Sequence, residues 1–73
     1  MPLIEVKAIA GVFSEEKKQE VVKKLTDTMV AIEGEALRPY TVVLFEEIAS
    51  GSWGVGGNAL TTAQVKAIAA GGK

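Results

Sequence analysis

The sequence contains no histidine and no cysteine. The side chains that most often carry proton transfer or nucleophilic chemistry near neutral pH are therefore absent. Without cysteine there are no disulfides to stabilise the fold, and a cytoplasmic location is expected, because disulfides are rare there. Any catalyst in this chain has to come from another kind of group.

Charge and hydropathy exclude two further classes of protein. The net charge is −1, and the only lysine clusters are the pairs Lys17-Lys18 and Lys23-Lys24, so nucleic-acid binding is not expected. No apolar run approaches the ~18 residues of a membrane span. The first residues do not have the basic and apolar regions of a secretory signal.

The chain is short but apolar. It has 73 residues, of which 48% are hydrophobic. A monomer of this size buries only about 60% of the surface of its unfolded chain, so its stability would be marginal. We therefore expect the chain to form oligomers that bury more apolar surface.

The first half of the chain has the pattern of a strand followed by a helix. Residues 3–9 alternate in a way that suits a strand with one buried face. Ser14 is a good N-cap for a helix over residues 15–33, whose apolar side chains recur every three or four residues. Gly34 is a suitable helix stop.

The second half predicts another strand and two short elements. An apolar run indicates a strand over about 40–48, followed by a glycine-rich hairpin over about 51–57 and a short helix over about 62–69. Strand, helix and strand form a β-α-β unit with parallel strands. We expect one α/β (α+β) domain over residues 1–73, with a C-terminal hairpin.

Pro2 is the strongest candidate for a catalytic group. If Met1 is removed, Pro2 becomes the amino terminus, a secondary amine. Free α-amino groups titrate near pH ~8, and burial in an apolar site lowers the pKa further. A base with a pKa near the working pH is what proton-transfer catalysis requires. If Met1 is retained, Pro2 has no amine to offer.

The Met-Pro start, the β-α-β unit and the segment Glu46–Gly57, which contains Trp-Gly-Val-Gly-Gly, together resemble the 4-oxalocrotonate tautomerase family of the tautomerase superfamily. The resemblance covers nearly the whole chain. It implies dimers that assemble into a hexamer, a trimer of dimers. It implies that Pro2 moves a proton between the enol and keto forms of a 2-hydroxydienoate or 2-oxo acid. No metal and no organic cofactor is implied.

The resemblance also assigns residues to the substrate site. Trp53 aligns with an aromatic residue of the pocket, and Ile9 aligns with an apolar wall. Well-studied members carry two arginines that bind the substrate, and this chain has Val12 and Val42 at those positions. A dicarboxylate thereby loses its expected contacts, so we expect a substrate with one carboxylate.

Three other side chains are candidates with competing interpretations. Arg38, the only arginine, could bind a carboxylate, or it could form an ion pair with Glu33 or Glu35. Tyr40 could donate a hydrogen bond to a carbonyl oxygen, or it could be a packed aromatic residue. Lys7 could lower the pKa of the Pro2 amine, or it could simply be solvated.

Two other functions stay open on the sequence. The chain could be a non-catalytic or partner-dependent subunit, in which a second chain of a hetero-hexamer supplies the missing arginines. It could also be a related proline-based hydratase or dehalogenase, for which Glu46 and Glu47 are the obvious acids.

Overall fold

Two parallel strands form the centre of the fold. The computed structural model describes residues 1–71. Strand β1 (Leu3–Ile9) pairs with β2 (Val42–Ile48) in parallel, from Leu3 opposite Val42 to Ile9 opposite Ile48. Both strands therefore begin at one end of the sheet and finish at the other. This confirms the predicted β-α-β unit and the α+β fold class.

Helix α1 (Glu15–Glu33) connects the two strands and covers one face of the sheet. Its first turn is capped by Ser14, whose side chain accepts a hydrogen bond from the Lys17 backbone N–H at 3.2 Å. It stops at Gly34, whose φ of +109° is open to glycine but not to most other residues. Val30 is 3% exposed and is one of the two core residues of the described chain.

The link from α1 to β2 differs from the sequence prediction. Residues Glu35–Tyr40 form a 3-10 helix, and β2 begins at Val42 rather than at residue 40. Pro39 has no N–H to give to a sheet, and Thr41 Oγ1 donates to the Leu37 carbonyl at 2.9 Å, which keeps this segment turned on itself. Tyr40 therefore lies in the 3-10 helix and not in a strand.

The C-terminal part is a hairpin followed by a helix. Strands β3 (Trp53–Val55) and β4 (Asn58–Leu60) are antiparallel, so the hairpin extends three residues beyond the predicted 51–57. Its two-residue turn is Gly56-Gly57, both with positive φ, as the favoured hairpin turn requires. Helix α2 (Thr62–Ala69) starts with a capping box between Thr61 and Gln64.

The face of the sheet opposite α1 is partly uncovered in a single chain. Leu3, Val42 and Leu44 are 56%, 41% and 47% exposed on this face. Such exposure of large apolar side chains is consistent with the predicted burial by other copies. Among residues 1–71, neither helix has the length and apolar character to cross a membrane.

Candidate active site

The side chains singled out from the sequence lie in two groups at opposite ends of the sheet. Pro2 lies at the amino end of β1, whereas Ile9 closes its carboxyl end. At about 3.3 Å per residue, the seven steps between them span about 23 Å. The parallel register places Val42, the start of β2, beside Pro2, and Tyr40 precedes Val42 by two residues at the same end of the sheet.

At the amino end, Pro2 is fixed by its own backbone. Its carbonyl accepts a hydrogen bond from the Val42 N–H at 3.1 Å. Pro2 is half-buried, while Tyr40 is 53% exposed and Val42 is 41% exposed. A single chain therefore supplies the proline and an open, largely apolar surface at this end.

Arg38 precedes β2 and is engaged by two carboxylates. Its Nε donates to Glu35 Oε1 at 2.6 Å, and its Nη1 donates to Asp27 Oδ1 at 2.8 Å. These hydrogen bonds raise the pKa of the Arg38 guanidinium, and the bond to Glu35 has the larger effect. In this arrangement the guanidinium of Arg38 is part of an ion-pair network with Glu35 and Asp27. One of its partners, Glu35, was an alternative expected from the sequence.

At the carboxyl end, a cavity of about 270 Å³ lies beside β1. We call it the Trp53 cavity. Within residues 1–71 its lining is apolar apart from one lysine and consists of Lys7, Ala8, Ile9, Val12, Phe13, Trp53 and Val65. Ile9, one of these lining residues, is 4% exposed. The structure thus brings Ile9 and Trp53, two of the candidate site residues, into the lining of one cavity.

Hydrogen bonds hold the C-terminal segment over this end of the sheet. Thr62 Oγ1 donates to the Ala10 carbonyl, and the Thr62 N–H donates to Ser50 Oγ at 2.9 Å. Gly11 has a φ of +87°, and an added Cβ would lie 3.0 Å from Thr62 Cγ2. The turn after β1 therefore requires glycine, because its φ is positive and because Thr62, at the start of α2, packs directly against it.

Glu47 and Lys18 tie the same turn to β2 and α1. Glu47 Oε2 accepts a hydrogen bond from the Gly11 N–H at 3.1 Å, and its other oxygen pairs with the Lys18 ammonium. The Lys18 ammonium and the Gly11 N–H together hold the pKa of the Glu47 carboxyl below its ordinary value. Both carboxylate oxygens of Glu47 are thus engaged within the fold, and its lowered pKa favours the ionised form. Glu47 is therefore poorly suited to act as a general acid.

Sequence reasoning missed three residues of the Trp53 cavity and misplaced a fourth. Ala8, Phe13 and Val65 line the cavity. The apolar side of the predicted last helix could have indicated Val65. Lys7 was considered as a neighbour of Pro2, but five residue steps along the strand place them about 16 Å apart, and Lys7 lies at the Trp53 cavity instead. Within residues 1–71, no three acidic side chains converge to hold a metal ion.

The chain has counterparts among solved structures. It is similar to a crystal structure described as apo unFused 4-OT, with 27% identity, a TM-score of 0.72, and coverage of 81% of this chain and 93% of the other. It is also similar to DmpI from Helicobacter pylori, with 27% identity, a TM-score of 0.68, and coverage of 81% and 90%. None of the curated proteins matches the chain.

The sequence also matches a protein family over most of its length. The family is described as "Tautomerase enzyme", and the match covers residues 2–63, from the proline through the hairpin to the first turn of α2. Together with the shared fold, this shows that the chain belongs to the tautomerase family.

Proposed function

We propose that this chain is an enol–keto tautomerase in which Pro2, as the amino-terminal residue after loss of Met1, is the base. The observation that carries the proposal is the family match, which begins at Pro2. The absence of histidine and cysteine leaves the α-amine as the group best suited to proton transfer near neutral pH.

The chemistry needs only proton transfer. The Pro2 nitrogen takes the proton from the 2-hydroxyl group of an enol acid, and the resulting ammonium delivers it to a carbon of the conjugated chain. The C–O bond becomes a carbonyl and the double bond shifts, so the product is the isomeric 2-oxo acid. No oxidant, reductant or cofactor is consumed.

We further propose that the site is completed by a second copy of the chain. Along β1, Pro2 lies about 16 Å from Lys7 and about 23 Å from Ile9 of the Trp53 cavity, too far for one small substrate to contact both ends. Within residues 1–71, the outer edge of β1 pairs with no strand. In a two-fold arrangement with these edges antiparallel, Pro2 of one copy lies next to Ile9 of the other. Such dimers would be the units of the expected hexamer, in the expected cytoplasmic location.

The substrate is proposed to carry one carboxylate and an apolar remainder. Val12 lines the Trp53 cavity and Val42 lies beside Pro2, so neither position offers a charge to a second carboxylate. Burying an unpaired carboxylate against such side chains is strongly unfavourable.

The test is ketonisation of phenylenolpyruvate and 2-hydroxymuconate by the purified chain, with the intact mass recorded on the same sample. We expect loss of Met1, a preference for phenylenolpyruvate, and a rate that falls at least a hundredfold in Pro2→Ala. An unchanged rate in Pro2→Ala would exclude Pro2 as the base.

A partner-dependent subunit is the second candidate, and the ion pairs of Arg38 favour it. Because Glu35 and Asp27 already engage the only arginine, a clamp for a dicarboxylate would have to come from another chain. This version predicts that the purified chain alone forms no hexamer and turns over neither compound. For the hydratase or dehalogenase alternative, Glu47 is already engaged in the ion pair with Lys18, so Glu46 is the acid that this alternative would use.

A further inference from the structure

We infer that Lys7 binds the carboxylate of an apolar monocarboxylate whose remainder occupies the Trp53 cavity. The inference rests on the proposed function, since it names the group that would anchor the substrate of that site. It assigns to Lys7 a role in binding, at the end of β1 opposite to Pro2 of the same chain.

The lining of the cavity defines the chemistry of the ligand. Among the lining residues within the described part of the chain, residues 1–71, Lys7 is the only charged one, and the rest are aliphatic or aromatic. Its volume of about 270 Å³ lies near the lower limit of small-molecule sites. These properties suit a small, largely apolar molecule with one negative charge.

Lys7 is placed so that it can serve both parts of such a ligand. It shares a face of β1 with Ile9, because alternate residues of a strand point the same way. A lysine can lay its aliphatic stem along an apolar surface and keep its ammonium at the rim. The stem therefore extends the apolar wall, and the ammonium meets the carboxylate where it leaves the cavity.

The ammonium of Lys7 also forms fewer and longer ion pairs than the guanidinium of Arg38. Within residues 1–71 its only ion pair is with Glu46 at 3.5 Å, and the two side chains are 56% and 60% exposed. Arg38, in contrast, has two carboxylate partners at 2.6 and 2.8 Å. Exposed pairs of this kind contribute little, so an incoming carboxylate can replace Glu46 with small loss.

Glu46 gives the inference a second and opposite consequence. It competes with the ligand for Lys7 and adds negative charge next to the bound carboxylate. Removal of that charge should strengthen binding, whereas removal of the Lys7 charge should weaken it. A merely structural role of the Lys7–Glu46 pair predicts the same effect from both changes.

The test uses Trp53, the only tryptophan, as a fluorescent reporter inside the cavity. Pro2→Ala protein is titrated with 3-phenylpropanoate, which cannot tautomerise, and with adipate as a dicarboxylate. In this background we expect Lys7→Gln to weaken 3-phenylpropanoate about tenfold, Lys7→Arg to retain it within about threefold, and Glu46→Gln to tighten it severalfold. Adipate should bind at least tenfold more weakly than 3-phenylpropanoate.

Matched controls separate a local contact from net charge. Lys24→Gln and Glu16→Gln make the same charge changes on the surface of α1, away from the lining of the cavity, and should leave affinity within twofold. Unchanged affinity in Lys7→Gln, equal losses in Lys7→Gln and Glu46→Gln, or no binding by the parent would overturn the inference. Because the titration needs no turnover, Lys7-dependent binding in a chain without Pro2-dependent ketonisation would refute the proposed function and leave this inference standing.

Discussion

Mixing two inactive variants is the sharpest consequence of a site divided between copies. Pro2→Ala removes the proposed base at one end of β1, and Trp53→Ala opens the cavity at the other end. Each homo-oligomer then lacks an intact site. In a mixed oligomer, an intact Pro2 of one chain can meet an intact Trp53 of its neighbour.

The expected recovery follows from the geometry. In an equal, random mixture, a given site receives an intact Pro2 in about half of the cases and an intact Trp53, from the other chain, in about half. About a quarter of the sites should therefore be complete. If both residues of a site came from one chain, no complete site would form at any mixing ratio.

The assay is ketonisation of phenylenolpyruvate after the two variants are unfolded together and refolded, with each variant refolded alone as a control. We expect about a quarter of the wild-type rate, above the summed residual rates of the parents. A rate equal to the average of the two parents would refute the division of the site, since it would place Pro2 and Trp53 of each site in one chain.

Three further predictions concern stability, measured by urea unfolding at fixed protein concentration. Glu47→Gln should destabilise the fold near neutral pH. Because the folded-state pKa of Glu47 is lowered, its contribution to stability is present above pH ~4.5, the ordinary pKa of a glutamate, and is lost as the pH falls through the folded-state pKa. The free energies of unfolding of the two proteins should therefore converge in acid. Equal differences at all pH values would contradict the role of the Lys18 pair. Val30→Ala should cost about 2 kcal/mol, since two buried methyl groups are lost and a cavity is left, and a cost under about 0.5 kcal/mol would show that Val30 is not in the core. Gly11→Ala should cost about 1–3 kcal/mol through its positive φ and the contact with Thr62, and an unchanged midpoint would contradict that geometry.

The β-α-β unit was predictable because local signals agree with the fold. The Ser14 cap, the stop at Gly34 and the three-to-four spacing of apolar residues all indicate the helix that the structure has over Glu15–Glu33. The 3-10 helix before β2 was not predictable from periodicity, because an apolar run does not reveal where pairing starts. The bond from the Val42 N–H to the Pro2 carbonyl marks that start.

The sequence supplied a set of candidate site residues but not their arrangement in space. Chemical reasoning indicated Pro2 and the resemblance added Ile9 and Trp53, although Pro2 and Ile9 lie at opposite ends of β1. Lys7 was associated with Pro2 because the two are close in sequence. A strand extends about 3.3 Å per residue, so closeness in sequence became distance in space.

The central claim is that the Pro2 nitrogen is the base, and nitrogen-15 NMR of proline-labelled protein tests it most directly. The chain has two prolines, and the nitrogen of Pro39 lies in a peptide bond, so it is an internal control that does not titrate. We predict one titrating resonance, from Pro2, with a pKa below the ~8 of an ordinary α-amine and equal to the pH at which kcat/KM for phenylenolpyruvate rises. No titrating proline nitrogen, or a kcat/KM profile that does not follow it, would contradict the claim.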